Sequence, residues 1–546
     1  MRLLTALLGA IFLFTANSAA LGNVEPGLNI LLLTVDSFRP DRLGCYGAGR
    51  AHSPNIDRLA RNGIVFTRAY STAAWTNASL VSMLTGLYPS VHGVERRGVS
   101  LPQEWVTPLE ILREAGYLVP EINYLFPTPN YRNLGFTPNR IRNVSQFLEA
   151  YQDTLFFAWH HFHGPHLPYN PPEKYLNMFL PAGLEKSEGI NTVLDNTIVP
   201  RGERVFTPAE QELVKALYDA EIAAQDEEIG RVLATLDSLG LAEKTLVVLS
   251  ADHGEELFDH GWLGHASTSL NGTLYEELIH VPLIISLPSR LKTNTRVESL
   301  VQSVDLIPTL FDLLGLELSF PCQGSSFLDL LTGGDRSPTR EQIFCETSVC
   351  GYQCPDSGAV TWLRALSTGQ AKLVETLVPG QAPHFALFDL ETDPKESRDL
   401  ARESNDELIR LQGRLAAQIF RNQRLRKELE QSFAVSPAAG KAAPDTRRIE
   451  IISPAEGETI THRTREGRVP VSWTGQEGAE YIIEYEVGRG KYYLKGSFPV
   501  RGSGETFGPF TRIFWSAFPK YNPWRFRVVP KAKPGLASRW RTFNFE

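Results

Sequence analysis

Three short apolar runs, rich in β-branched residues, end in residues that do chemistry. NILLLTV runs into Asp36, TLFFAW into His160, and TLVVLS into Asp252 and His253. Runs this apolar read as strands buried on both faces. Between them lie helical patterns such as SPNIDRLARNG and PLEILREAG. Strands alternating with helices predict an α/β fold with a mainly parallel sheet covered on both sides. In such sheets ligands collect beyond the carboxyl ends of the strands, which is where these acids and imidazoles fall.

Seven of the twelve histidines lie in two stretches, WHHFHGPH and ADHGEELFDHGWLGH. Packing explains a single buried histidine, but not two clusters at strand ends beside Asp36 and Asp252. Carboxylate and imidazole ligands together with a hydroxyl suit a divalent cation such as Ca, Mg, Mn or Zn. The stretch AAWTNASLVSMLTG offers that hydroxyl. Its pattern predicts a helix from near Ala78, N-capped by Thr76 or Asn77 and ended by Gly86. Thr76 is then either a cap or a hydroxyl held where a helix N-terminus favours an anion.

At 546 residues the chain is long enough for two or three domains. Its net charge of −8 gives no basic field, which argues against nucleic acid as a partner. Residues 1–20, within MRLLTALLGAIFLFTANSAALG, read as a signal peptide cleaved near Ser18 to Ala20, hence a secreted or periplasmic protein. No later segment is long and apolar enough to span a bilayer. Four of the five cysteines (Cys322, Cys345, Cys350 and Cys354) fall close together and predict two disulfides, with Cys45 left as a buried thiol. Residues 433–448, FAVSPAAGKAAPDTRR, read as a linker after a domain spanning 27–432. Residues 449–546 hold short alternating runs between Gly- and Pro-rich turns, the pattern of a small immunoglobulin- or fibronectin-like β-sandwich. Asp226, inside a helical pattern, reads as structural.

The pieces NILLLTVDSFRPDRLGCYG, SPNIDRLARNGIVFTRAYS, WTNASLVSMLTGLYPSVHG, GPHLPYNPP, LVVLSADHGEEL, GTLYEELIHVPLII and LFDLETDPKESRDLA follow in that order. Together they resemble the sulfatase family of the alkaline phosphatase superfamily. The resemblance implies an alkaline-phosphatase-like αβα sandwich with a mostly parallel central sheet and one divalent metal ion. By position it implies Asp36, Thr76, Asp252 and His253 as metal ligands. Thr76 stands where sulfatases carry the Cys that becomes formylglycine, and His166 matches the histidine that contacts the transferred group or the leaving oxygen. His265, His260, Asn123 and Asn271 are candidates for substrate or a second metal.

The departures are specific. With Thr at 76 the formylglycine route is closed. Leu80 stands where sulfatases place an Arg beside the aldehyde hydrate, and Ser37 replaces the second Asp of the usual pair. A Gly-Lys-x-His segment gives way to Asn123, Tyr124 and Phe126. What remains resembles phosphonate and phosphodiester hydrolases and phosphoglycerol transferases with a Thr nucleophile. The expectation is therefore a hydrolase of phosphate, phosphonate or sulfate esters, with a glycan or a lipid as candidate carrier of the anionic ester. Three alternatives stand beside it: a sulfuric ester hydrolase without formylglycine, a phosphotransferase, and an inactive protein that binds a glycan or surface polymer.

Overall fold

The computed structural model describes residues 27–96, 98–181, 183, 205–266, 272–333, 340–351 and 360–434, and, beyond them, 451–455, 458–460, 469–473, 479–487, 494–501, 504–507, 523–531 and 537–545. The signal-peptide stretch, Asn271, Cys354 and most of the 433–448 linker lie outside the described residues. The chain divides into two compact units, Met1–Ala434 and Val435–Glu546.

The three runs that opened the sequence form neighbouring parallel strands. These are β1 (Asn29–Val35), β3 (Phe157–Phe162) and β4 (Thr245–Ala251), with β1 in the middle. Strand β2 (Ile64–Tyr70), the antiparallel β7 (His280–Ser286), β8 (Thr295–Val297) and β9 (Val301–Gln302) complete a seven-stranded, mostly parallel sheet. Between β4 and β7 lies a small hairpin, β5 (Glu256–Leu257) with β6 (Leu263–Gly264).

Side chains alternate across this sheet, and each face has its own apolar layer. Leu31, Leu33 and Val35 of β1 join Val247, Leu249 and Ala251 of β4 against the long helix Pro208–Ser238 and α1 (Pro54–Arg61). Ile30, Leu32, Leu246 and Val248 face the other way, onto Leu80, Val81 and Leu84 of α2 (Thr76–Thr85). The parity carries through the strand ends and sets the direction of the site residues.

Asp226 is structural, as expected. Its Oδ1 accepts the amides of Asn55 and Ile56 at 3.0 and 2.8 Å, so it serves the first turn of α1 from another helix. Strand β3 is longer than its apolar run, because His160 and His161 lie within it rather than after it. A four-stranded antiparallel sheet follows, β10 (Ile343–Ser348), β11 (Trp362–Ser367), β12 (Ala371–Leu377) and β13 (His384–Asp389), and the helix Asn405–Ala434 ends the unit.

Two disulfides among the clustered cysteines are ruled out, since Cys322 and Cys345 are free thiols while Cys350 is disulfide-bonded. Cys345 sits fully buried in β10, and its thiol faces the Ser71 carbonyl, so packing rather than pairing accounts for it.

The second unit contains a three-stranded sheet, β14 (Ile451–Ser453), β16 (Val469–Trp473) and β19 (Gly504–Phe507). It also contains a five-stranded one, β15 (Glu458–Ile460), β21 (Arg541–Phe545), β20 (Trp524–Pro530), β17 (Glu480–Val487) and β18 (Leu494–Arg501). Trp473 of the first packs edge-on against Tyr481 of the second, with ring centroids 5.7 Å apart. Among the described residues no helix is long and apolar enough to cross a membrane. Limited proteolysis is expected to cut between residues 435 and 450 and release a compact piece of about a hundred residues. Digestion that yields no such piece would mean the two units behave as one.

Candidate functional site

The site follows from strand register. Val35 is level with Phe162 of β3 and Ala251 of β4, so the next residues of all three strands emerge together at one edge. Asp36, Asp252 and His161 share the parity of Ile30, Leu246 and Phe157, and therefore point toward the α2 face. One donor atom from each of the three lies within 4.8 Å of the other two.

The surrounding bonds orient these donors. Asp252 Oδ1 accepts the amides of Ser37 at 3.1 Å and His253 at 2.8 Å, while its buried Oδ2 has no partner. That free oxygen lies 3.4 Å from His253 Nε2 and 3.9 Å from His161 Nε2. His161 is anchored through Nδ1, 2.8 Å from Thr34 Oγ1, and its buried Nε2 is also unpartnered, 3.5 Å from Asp36 Oδ2. His253 Nδ1 lies 2.8 Å from the Gly254 carbonyl, which can only accept, so Nδ1 carries the proton and Nε2 offers a lone pair in the neutral ring. The two orphaned buried atoms, His161 Nε2 and Asp252 Oδ2, together with His253 Nε2 and the Asp36 carboxylate, are donors of the kind a divalent cation takes.

Ser37 holds the floor of the cluster. It has φ 55, a conformation that costs a non-glycine residue energy and persists only where its surroundings impose it. Its amide donates to Asp252, its hydroxyl donates to Asp36 Oδ1 at 3.0 Å, and its carbonyl accepts a 2.6 Å bond from the Tyr218 hydroxyl. Ser37 thus orients both carboxylates of the cluster.

The electrostatics match a cation site. Burial alone would raise the Asp36 carboxyl, but His166, His161 and His253 outweigh it and hold it well below the usual range. Asp252 is raised, by burial first and then by Asp36. Burial lowers the His253 imidazole, yet Asp252 and Asp36 pull it up overall. The raised Asp252 and His253 are what two neighbouring carboxylates produce at one end of the cluster, while the imidazoles already compensate Asp36.

Thr76 is the first residue of α2, and Trp75 occupies the N-cap with no side-chain cap bond. Neither Thr76 nor Asn77 caps the helix, contrary to the simple reading of the sequence. Asn77 Oδ1 accepts from the Tyr131 hydroxyl at 2.7 Å, and Thr76 Oγ1 lies 3.4 Å from His253 Nε2. Gly86 does end the helix, at φ 72. Ser79 Oγ donates 2.5 Å to the Asp252 carbonyl and ties α2 to the end of β4.

His166 and His265 complete one wall. Their ring centroids are 4.9 Å apart, and His265 stands 4.4 Å from His253. His265 Nδ1 is 2.8 Å from Glu255 Oε1; burial, then the neighbouring His253 and His166, hold its imidazole well below the usual value. Burial pushes the Glu255 carboxyl up to about 8.

Two candidates fall elsewhere. Asn123 Nδ2 donates to the Trp159 carbonyl at 2.9 Å and its Oδ1 accepts the His161 amide, so its amide fixes β3 instead of meeting an anion. His260 pairs with Glu277 at 3.2 Å and joins a different cluster. Sequence reasoning also missed His161. The signal was present in WHHFHGPH: extending β3 through Phe162 puts His161, not His160, on the face of Asp36 and Asp252.

Leu80 is fully buried in the layer between α2 and the sheet. Leu80→Arg is therefore expected to cost roughly 3–5 kcal/mol, because it buries an unpaired charge; chemical denaturation measures this, and an unchanged midpoint would show that the side chain escapes to solvent.

His92 secures α2 from below. Its Nδ1 accepts the Val94 amide at 3.0 Å, while Nε2 lies 3.0 Å from Ser82 Oγ and 3.3 Å from the Ala78 carbonyl. Protonating Nδ1 would set two donors face to face, and burial lowers this imidazole to about 3. The unfolded chain takes up this proton near pH 6.5 and the folded one does not. Stability from this residue is thus complete above about 6.5 and is lost as pH falls toward about 3, at about 1.4 kcal/mol per pH unit. Denaturant titrations at pH 7 and 5 should show a shallower loss in His92→Gln than in the wild type; equal losses would contradict this.

The fold and site define an α/β-sandwich protein with a cluster of candidate cation ligands and a helix N-terminus at one sheet edge. The chain belongs to the sulfatase family. The Sulfatase model matches residues 28–137 and 139–316, and the model for the N-sulphoglucosamine sulphohydrolase C-terminal region matches residues 260–424. An ulvan-active sulfatase of Formosa agariphila is 25% identical over 419 residues, covering 68% of this chain and 76% of that protein. A multifunctional alkaline phosphatase superfamily protein of Trinickia caryophylli is 24% identical over 478 residues, covering 68% and 91%. The phosphonate monoester hydrolase of Agrobacterium radiobacter has the same fold, with a TM-score of 0.59 at 22% identity over 73% of this chain and 96% of the other.

Proposed function

We propose that this sulfatase-family hydrolase is exported and uses Thr76 as nucleophile, with phosphate or phosphonate esters preferred over sulfate esters. One observation carries the reading: Thr76 Oγ1 lies 3.4 Å from His253 Nε2, at the start of a helix that it does not cap. A hydroxyl with no capping role, beside an imidazole nitrogen that itself lies 3.7 Å from Asp36 and 3.4 Å from Asp252, has a chemical use that packing does not supply.

Asp36, Asp252, His253 and Thr76, with His161 added, would hold one divalent cation, which supplies a lowered hydroxyl pKa and a counter-charge for the ester oxygens. The chain's own groups do the rest. Thr76 Oγ forms a bond to phosphorus as the ester oxygen leaves with its bonding pair. His166 hands the departing oxygen the proton that Thr76 gives up. Water then attacks phosphorus, the Oγ–P bond breaks, and the threonine hydroxyl is restored. The free amides at the start of α2 face the charge that develops.

Sulfate esters on glycans are the second reading, favoured by relatives such as the ulvan-active sulfatase. If an alcohol replaces water in the second step, the same site is a phosphotransferase. The amino-terminal stretch supports export, and the paired sheets of the second unit support an immunoglobulin- or fibronectin-like sandwich that could serve as a spacer or dock a glycan.

The test is a panel of aryl sulfate, phosphate monoester, phosphodiester and phosphonate substrates, each run with Ca, Mg, Mn and Zn. Turnover is expected to be fastest on a phosphorus ester. Turnover on aryl sulfate alone would favour the sulfate reading, and no turnover on any substrate would favour a binding protein.

A further inference from the structure

We propose that Glu256, His260 and Glu277 form a second divalent-cation site, separate from the cluster around Asp36. Each offers a donor atom within 4.8 Å of the other two. Glu256, in β5, is only 1% exposed; its Oε1 accepts a long 3.4 Å bond from Thr273, and its buried Oε2 has no partner. His260 Nε2 lies 3.2 Å from Glu277 Oε2. The His260 ring is stacked on Tyr275 with centroids 3.5 Å apart and 8° between planes, which fixes where its nitrogens point.

A purely structural His260–Glu277 pair would satisfy those two residues and leave Glu256 buried with an orphaned oxygen. Among the described residues, two buried cations of neighbouring segments are engaged with other carboxylates. Arg39 pairs with Asp41 and Asp259, and Lys372 with Glu276 and Glu396. A bound cation answers the orphaned carboxylate oxygen, and one imidazole with two carboxylates suits Zn or Mn. The side chains of His260 and Glu277, 11% and 12% exposed, leave an entry path.

Such a cation would fasten the β5–β6 hairpin to the short helix Glu276–Ile279. The chain just after Asp252 and His253 already leans on that helix, since Gly254 and Glu255 donate their amides to the carbonyls of Leu278 and Glu277 at 2.8 and 3.2 Å. The second site is therefore a clamp on the segment that carries Asp252 and His253.

The test is cation stoichiometry on the full-length protein, stripped with chelator and dialysed against Zn alone and Mn alone, then read by elemental mass spectrometry. Two cations per chain are expected in the wild type and one in His260→Ala. Affinity at the second site should fall by more than about 100-fold, since even outer-shell partners are worth roughly 10–100-fold. Glu277→Gln keeps the packing and gives the same reading if His260→Ala does not fold. Asp252→Asn should lose the other cation and keep this one, so the two sites fail independently. Wild-type stoichiometry in both His260→Ala and Glu277→Gln would overturn the proposal.

Discussion

Thr76→Ala is expected to lose three decades or more in turnover on the best substrate while keeping its fold and the wild-type cation content. Three decades correspond to about 4 kcal/mol of barrier. The size follows from what the neighbours can supply without the hydroxyl. The N-terminus of α2 is worth roughly 0.3–1 kcal/mol to a nearby anion, and up to about 2 when partly buried. The carboxylates and imidazoles remain to bind substrate, yet no oxygen is left beside His253 to attack it. Thr76→Ser should retain part of the activity, because the attacking oxygen survives. Circular dichroism and metal content separate a lost nucleophile from a lost fold.

The second large effect is on the metal. Asp252→Asn combined with His253→Ala removes the charge of the unpartnered Oδ2 and the Nε2 that lies 3.7 Å from Asp36. The double variant should lose stoichiometric cation at this site, and turnover should fall to background. Chelation should lower the melting temperature of the wild type through this site, because a ligand at 100 times its Kd stabilises the folded state by about 2.7 kcal/mol. The double variant should show a smaller response. Full cation occupancy in that variant would assign the metal to other residues.

Much of this architecture is legible in the sequence, for physical reasons. Buried parallel strands must be apolar along their whole length, so β1 and β4 are visible as runs, and the acids that follow them are visible as strand-end residues. Strand β3 was harder to read. Its apolar run stops at Trp159, but the strand continues because Asn123 bonds the backbone on both sides of His160 and because Thr34 pairs with His161. Both are contacts between residues far apart in the chain. The α2 cap departs from its local sequence pattern for a similar reason. Local preference favours Thr or Asn at an N-cap, but Asn77 is drawn to Tyr131 and Thr76 to the strand-end cluster. The cysteine spacing suggests two covalent pairs; Cys350 is disulfide-bonded, whereas Cys345 is simply a buried residue of β10. Local rules failed where long-range contacts took over the side chain, and two of those places are at the site itself.

The central claim is that Thr76 carries the transferred group. The direct measurement is to quench the enzyme during turnover of a slow phosphodiester or phosphonate and map the digest by mass spectrometry. The account predicts the mass of the transferred group on the peptide bearing Thr76, absent in Thr76→Ala. Turnover with that peptide unlabelled, together with near wild-type rates in Thr76→Ala, would contradict it.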